Sequence, residues 1–203
     1  IGTYYANKAV EFINNSKDGR FLLWVGFHEP HSPFNFPIEY AGKYDPSNMP
    51  LPTGSPEDDE FIPLVFKDLT EEERRGIISA YYTSVEYLDK NVGIILEGLE
   101  KAGISENTLI VYLGDHGYLL NDHKRFEKHM MWEEAVRAPL ILKAGGLRPE
   151  VNLRKEMVEF VDVVPTIVDL LNVEGKPDIQ GRSLAPFFQD NTDNQRDVVF
   201  SEF

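Results

Sequence analysis

Residues Leu109–Leu140 read LIVYLGDHGYLLNDHKRFEKHMMWEEAVRAPL, and the fold turns on how this stretch begins. Leu109–Leu113 is apolar without interruption, the pattern of a short strand buried on both faces in a parallel sheet. It stops at Gly114-Asp115-His116-Gly117, where a carboxylate and an imidazole stand side by side between glycines that let the backbone turn sharply. Polar residues at the carboxyl end of a buried strand are where open α/β sheets place ligand sites. An Asp-His pair there can hold a divalent cation, and it can equally be a tight turn with an Asp cap. Asp122, His123, Lys124, Arg125, Glu127, Lys128 and His129 follow closely, a density of groups that bind anions or move protons. Alone, such a run is more often a solvated helix face.

Working outward, Phe21–Phe27 (FLLWVGF) is a second apolar run of strand length, and it too ends in polar residues, His28 to Phe34 (HEPHSPF). Pro139–Leu142 reads as a third strand. Tyr5, Ala9, Phe12 and Ile13 share one helical face within Tyr4–Asn14. Thr70 and Glu73 form a capping box, after which Ile77, Tyr81, Val85, Leu88, Val92, Ile95 and Leu99 recur at helical steps up to Gly103. Phe160–Leu171 is predicted helical, with Pro165 near its first turn. Between Asn35 and Leu69 the chain is rich in Pro, Gly and acids, which predicts a long irregular excursion over the surface, a kind of loop uncommon unless it shapes a site. Asp197–Phe203 (DVVFSEF) reads as a strand. Strands alternating with helices predict a largely parallel α/β sheet.

With 203 residues, 42% of them apolar, the chain has material for a sizeable core or a large piece of one. Its 20 Lys and Arg against 34 Asp and Glu give a net charge of −14, which argues against a nucleic-acid partner. An anionic substrate would have to be met by local Lys, Arg and His. No cysteine is present, so there is neither a disulfide framework nor a Cys-based zinc site. No run approaches the roughly 20 apolar residues that span a bilayer, so no membrane partner is expected. The first residue is Ile1, in what already reads as helix, so the start is taken as internal to a longer polypeptide.

Leu109–Leu140 closely resembles the sulfatase signature of the alkaline phosphatase superfamily: a strand ending in Ser/Gly-Asp-His/Asn-Gly, then Gly-x-His and Lys, then aromatic-Glu-x-x-x-Arg-x-Pro-Leu. The matching residues are Asp115, His116, Gly117, His123, Lys128, Trp132, Glu133, Arg137, Pro139 and Leu140. Trp24–Phe34 resembles the family's strand followed by His-x-Pro-His-x-Pro-Phe, which places the active-site histidine at His31. Tyr81–Glu86 with Asp89 and Gly93 resembles the intervening helix, and Gly181-Arg182-Ser183-Leu184 a later turn. His116 in place of Asn, together with the interval from Asp115 to Lys128, is most similar to the iduronate-2-sulfatase, choline sulfatase and phosphonate monoester hydrolase types. The His-x-Pro-His-x-Pro-Phe run favours the first of these.

The resemblance implies an alkaline-phosphatase-like, mostly parallel sheet flanked by helices, of which residues 1–203 would be the C-terminal portion. It implies Asp115 and His116 as metal ligands, Lys128 and His31 as catalytic groups on the sulfate, and a lesser, substrate-lining or structural, place for His123. Glu133, Arg137 and Asp162 are expected to be structural, and His28 a wall residue. The family's formylglycine, made from Cys or Ser in Cys/Ser-x-Pro-Ser/Ala-x-Arg, and its N-terminal Asp pair do not occur here, so this chain by itself is expected to be inactive. Asn121 stands where the family usually has Gly; Asn tolerates the left-handed conformation such a turn requires. The family usually holds calcium, so one calcium ion is the cofactor expected, with manganese or zinc as the alternative because an imidazole ligand is not typical of calcium. The substrate implied is a sulfated carbohydrate or small sulfate ester, and export from the cytoplasm is the family habit. A phosphonate or phosphate ester hydrolase, or an inactive sulfated-ligand-binding homologue, are the alternatives.

Overall fold

The computed structural model describes residues 1–147, 149, 153–174, 178–191 and 196–202. Helix α1 (Gly2–Ser16) buries Ala6, Ala9 and Ile13. Its small residues allow close approach to the long helix α3 (Glu71–Lys101), where a Cβ on Gly98 would lie 2.8 Å from Val10 Cγ2. Helix α3 begins at the predicted cap: the Thr70 hydroxyl accepts from Glu73 N, and the Glu73 carboxylate accepts from Thr70 N at 2.8 Å. Glu71, Glu72 and Glu73 in its first turn and Lys101 in its last suit the helix dipole. Of the predicted apolar stripe, Leu88 and Leu99 are buried, while Val85 is exposed. Ile78, Thr83, Ser84 and Asn91 are buried as well, because α3 is covered on more than one side.

The excursion from Asn35 to Leu69 is irregular as predicted, with 3-10 turns at Ile38–Tyr40, Pro46–Asn48 and Pro56–Phe61 and a single-turn helix α2 (Leu64–Lys67). It is not a passive surface loop. Met49 and Phe66 from it join Ile78 of α3 and Phe126 in a buried cluster, with the Phe66 and Phe126 rings edge-to-face at 5.6 Å. Fully burying side chains of this size contributes about 1.5–3 kcal/mol each, enough to fix the excursion to the body.

Strand β1 (Leu109–Leu113) is followed by a hairpin of two-residue strands, β2 (Leu119–Leu120) and β3 (Phe126–Glu127), then the single turn α4 (Glu133–Val136) and strand β4 (Leu140–Ala144). β1 and β4 pair antiparallel, Leu109 with Ala144 through Leu113 with Leu140. The expected parallel pairing is therefore not what this ladder shows. The intervening chain contains no crossover helix long enough to return to the start of β1, and antiparallel edge strands are common on otherwise parallel sheets.

Phe21–Phe27 is extended and alternates half-buried with exposed residues, but it pairs with no strand among the described residues, leaving Leu22 87% and Trp24 82% exposed. A ladder needs a neighbour on at least one edge, and among the described residues none pairs with this run.

Helix α5 (Val163–Leu170) follows a 3-10 turn at Phe160–Asp162. The Asp162 carboxylate accepts from Arg182 N, Glu159 N and the Arg196 guanidinium, the structural role expected of it. Burial pushes its carboxyl up, but Arg196 and these N–H donors outweigh that and hold it below the usual range. Asp197–Glu202 forms no strand; Arg196 makes one isolated bridge with Met157, and Phe200 N donates to Glu159. Polar tethers, rather than a ladder, hold this segment. Phe203 lies outside the described residues. Among those described, no helix is long and apolar enough to cross a membrane.

Candidate active site

The Gly114–Gly117 turn sits between the β1–β4 ladder and the β2–β3 hairpin. Gly114 N donates to Pro139 O at 3.1 Å and Gly117 N to Ala135 O at 2.8 Å. A Cβ on Gly117 would lie 2.1 Å from Glu134 O and 2.6 Å from Arg137 O. The Trp132–Leu140 motif thus acts here through its backbone, as the bed on which the turn rests. Among the described residues the Glu133 and Arg137 side chains pair with each other, at 3.3 Å, both largely exposed.

Within the turn the His116 ring nitrogen Nδ1 lies 2.6 Å from Gly117 O. A carbonyl only accepts, so Nδ1 carries the hydrogen, and in the neutral ring Nε2 presents a lone pair. Nε2 faces Asp115 Oδ1 at 3.5 Å, and the Asp115 side chain is 88% exposed. With the ring neutral, Nε2 and the carboxylate are both acceptors, so the pair can share a cation or a proton. A histidine whose far nitrogen donates to a carbonyl is the usual preparation of a metal ligand. The pair fits part of a ligand set: among the described residues no group of three or more Asp, Glu or His converges.

His31 repeats the device, with Nδ1 2.6 Å from Ser32 O and Nε2 left for another partner. His28 lies beside it, ring centres 5.1 Å apart. The buried Glu29 of their loop lies at the start of α1, its carboxylate 3.1 Å from where a Cβ on Gly2 would stand, and negative charge is favoured there. The loop adjoins the Asp115 turn through Tyr118. That ring stacks on Tyr81 at 5.2 Å and meets Phe34 at 6.1 Å, and its hydroxyl contacts the Ser32 hydroxyl. Burial, with the Glu127 carboxylate nearby, pushes the Tyr118 phenol up to about 12, so it stays a hydrogen-bond donor at neutral pH.

Lys128 follows β3. The register Leu119 with Glu127, carried one step further, sets it opposite Tyr118. It is half-buried, and its ammonium has no hydrogen bond or ion pair among the described residues. The backbone reaches it through four non-glycine residues at positive φ: Asn121 (74°), His123 (52°), Lys124 (56°) and Glu127 (77°). Each such residue costs on the order of 1–3 kcal/mol and persists only where its surroundings over-determine it.

The surroundings come from the excursion and α3. Asn121 adopts the left-handed conformation expected at the family's glycine position, and its amide also accepts from Arg74 at 2.7 Å and donates to Pro52 O at 2.7 Å. Lys124 pairs with Asp59 at 2.5 Å and Arg125 donates to Phe61 O at 3.0 Å. His123 meets the buried Asp58 through Nδ1 at 2.9 Å and faces Glu134 through Nε2 at 3.6 Å, its ring stacked on Trp132 at 4.0 Å. The N–H of Ser55 and then His123 hold the Asp58 carboxyl below its usual range. Both His123 nitrogens are therefore turned toward protein carboxylates.

Sequence reasoning missed Asp58, Tyr118 and Arg74. Asp58 and His123 are 65 residues apart and carry no local pattern. Tyr118 had one available signal, its place directly after the Asp-His-Gly turn.

The sulfatase family model matches residues 3–173. A sulfatase of Formosa agariphila is 30% identical over 198 residues, covering 91% of this chain and 39% of that protein. Mouse iduronate 2-sulfatase is 31% identical over 147 residues, 62% of this chain and 27% of its own length. The phosphonate monoester hydrolase of Silicibacter pomeroyi superposes with a TM-score of 0.77 at 27% identity, covering 95% of this chain and 42% of that one. The chain thus spans less than half the length of each. These likenesses bear out the alkaline-phosphatase-like class, of which this chain is a part.

Proposed function

The chain belongs to the sulfatase family, and from that premise we propose that it is the C-terminal portion of a metal-dependent sulfuric ester hydrolase acting on a sulfated sugar or small sulfate ester. The observation that carries the reading is the Asp115–His116 pair. Its two acceptors face each other across 3.5 Å, with His116 oriented by the Gly117 carbonyl. Asp115 and His116 would hold the ion, which supplies Lewis-acid stabilisation of charge on the sulfuryl oxygens. The remaining ligands and a formylglycine nucleophile belong, in this reading, to the part of the relatives' length that the chain does not cover. An imidazole ligand favours manganese or zinc over the calcium usual in the family.

Lys128 binds a sulfate oxygen with an ammonium that makes no hydrogen bond or ion pair among the described residues. His31 gives a proton from Nε2 to the departing alcohol oxygen as the nucleophile from outside this chain would bond to sulfur and the ester sulfur–oxygen bond breaks. Its Nδ1–H stays on Ser32 O throughout, so the ring does not turn. Tyr118 keeps the His31 loop against the Asp115 turn. Likeness to iduronate 2-sulfatase supports a sugar as the carrier of the sulfate, and export follows the family habit. The test is turnover of aryl and sugar sulfates by the full-length protein. Lys128→Ala is expected to lower kcat/KM about 10²–10³-fold. No turnover with ion and aldehyde both confirmed contradicts the reading.

The phosphonate monoester hydrolase likeness supports a second reading, in which the same groups act on a phosphonate or phosphate ester. Relative kcat/KM on matched sulfate and phosphate esters separates the two.

A further inference from the structure

His123 is tied to three parts of the molecule at once. Nδ1 meets Asp58 of the excursion at 2.9 Å, Nε2 faces Glu134 of α4 at 3.6 Å, and the ring lies flat on Trp132, 12° from parallel. The facing Glu134 oxygen is buried and has no hydrogen-bond partner of its own. What lies behind Glu134 is the ion-binding turn. The Glu134 carbonyl occupies the space where a Cβ on Gly117 would stand, and the next carbonyl, Ala135 O, accepts from Gly117 N. The Gly117 carbonyl in turn receives His116 Nδ1–H and so aims Nε2 at Asp115. An unbroken series of contacts runs from Asp58 through His123, Glu134 and the Gly117 peptide to His116.

We propose that His123 is a positioning residue for the ion site: it holds Glu134 against the excursion, and thereby fixes the peptide that orients His116. This rests on the metal-hydrolase reading above. It differs from a sulfate-lining role, for which His123 would need a nitrogen free of protein partners. Positioning partners of metal-binding histidines are worth about 10–100-fold in ion affinity, and His123 acts one contact further out, so the lower end is expected.

His123→Asn tests it in the full-length protein. Asn suits the positive φ, and its amide can still donate to Asp58, but it neither reaches Glu134 nor stacks on Trp132. Glu134→Ala removes the same link from the other side while keeping the backbone carbonyl that packs on Gly117. Lys124→Gln breaks the neighbouring Lys124–Asp59 pair, a structural contact of the same interface that does not touch Glu134. Calorimetry with calcium, manganese and zinc is expected to show affinity about tenfold weaker in both His123→Asn and Glu134→Ala, no weaker in their double variant, and unchanged in Lys124→Gln. Wild-type affinity in His123→Asn and Glu134→Ala, or additive losses in the double variant, overturns the proposal while leaving the hydrolase reading intact. No ion binding by the wild type overturns both.

Discussion

Two candidate site residues are presented by segments built in opposite ways. From Asn121 to Lys128 the backbone passes through four residues at positive φ, and three of them, Asn121, His123 and Lys124, are clamped by a side chain or carbonyl from the excursion or α3. From Phe21 to His28 no residue has positive φ, yet the run pairs with no strand among the described residues, and Leu22 and Trp24 face outward. The first segment carries the contacts that define it within this chain. The second has the form of a strand without the neighbours a strand requires, which fits a chain spanning less than half the length of its relatives. Sensitivity to mutation should divide accordingly.

The largest effect is expected where the hairpin meets the excursion. Phe126 is 1% exposed at the centre of the cluster with Met49, Phe66 and Ile78. Phe126→Ala should cost about 3–5 kcal/mol in urea denaturation; a loss under about 1 kcal/mol would mean that the polar clamps alone hold the hairpin. Next comes Trp24. In the full-length protein, Trp24→Ser should cost about 1.5–3 kcal/mol if strands from the rest of the domain cover this run, whereas a change within about 0.5 kcal/mol would leave it a surface segment. The smallest effect concerns pH. Asp58 is held below its ordinary value by Ser55 N–H and His123. Its contribution is present above the unfolded value of about 3.9 and is lost as pH falls through the folded value. Asp58→Asn should lower Tm at neutral pH, with the gap to wild type closing as pH falls through the folded value; a gap that stays constant down to the most acid pH at which both proteins fold would assign the loss to shape rather than charge.

The same division separates what the sequence made legible from what it did not. Helix α3 was readable because its start is written locally in Thr70 and Glu73, and β1 because five apolar residues end in a polar turn. Asp115 and His116 were nominated by their place at the carboxyl end of a buried strand, Lys128 and His31 by resemblance to the sulfatase signature, and the left-handed Asn121 by its own backbone tolerance. The pairing partner of Phe21–Phe27 and the antiparallel sense of β1 with β4 depend on chain paths that periodicity does not encode. The Asp58–His123–Glu134 contact joins residues from three separated segments, so no window of sequence contains it. The Asp197–Phe203 run had strand composition, but its described part, Asp197–Glu202, forms no strand and is tethered by Phe200 N to Glu159 and, just before it, by Arg196 to Asp162.

Ion binding at Asp115 tests the central claim most directly. Titration of the full-length protein with calcium, manganese and zinc should show one tight site that Asp115→Ala abolishes while the fold, followed by circular dichroism, is retained. A folded wild type that binds none of the three, or an Asp115→Ala variant that binds as the wild type does, would contradict it.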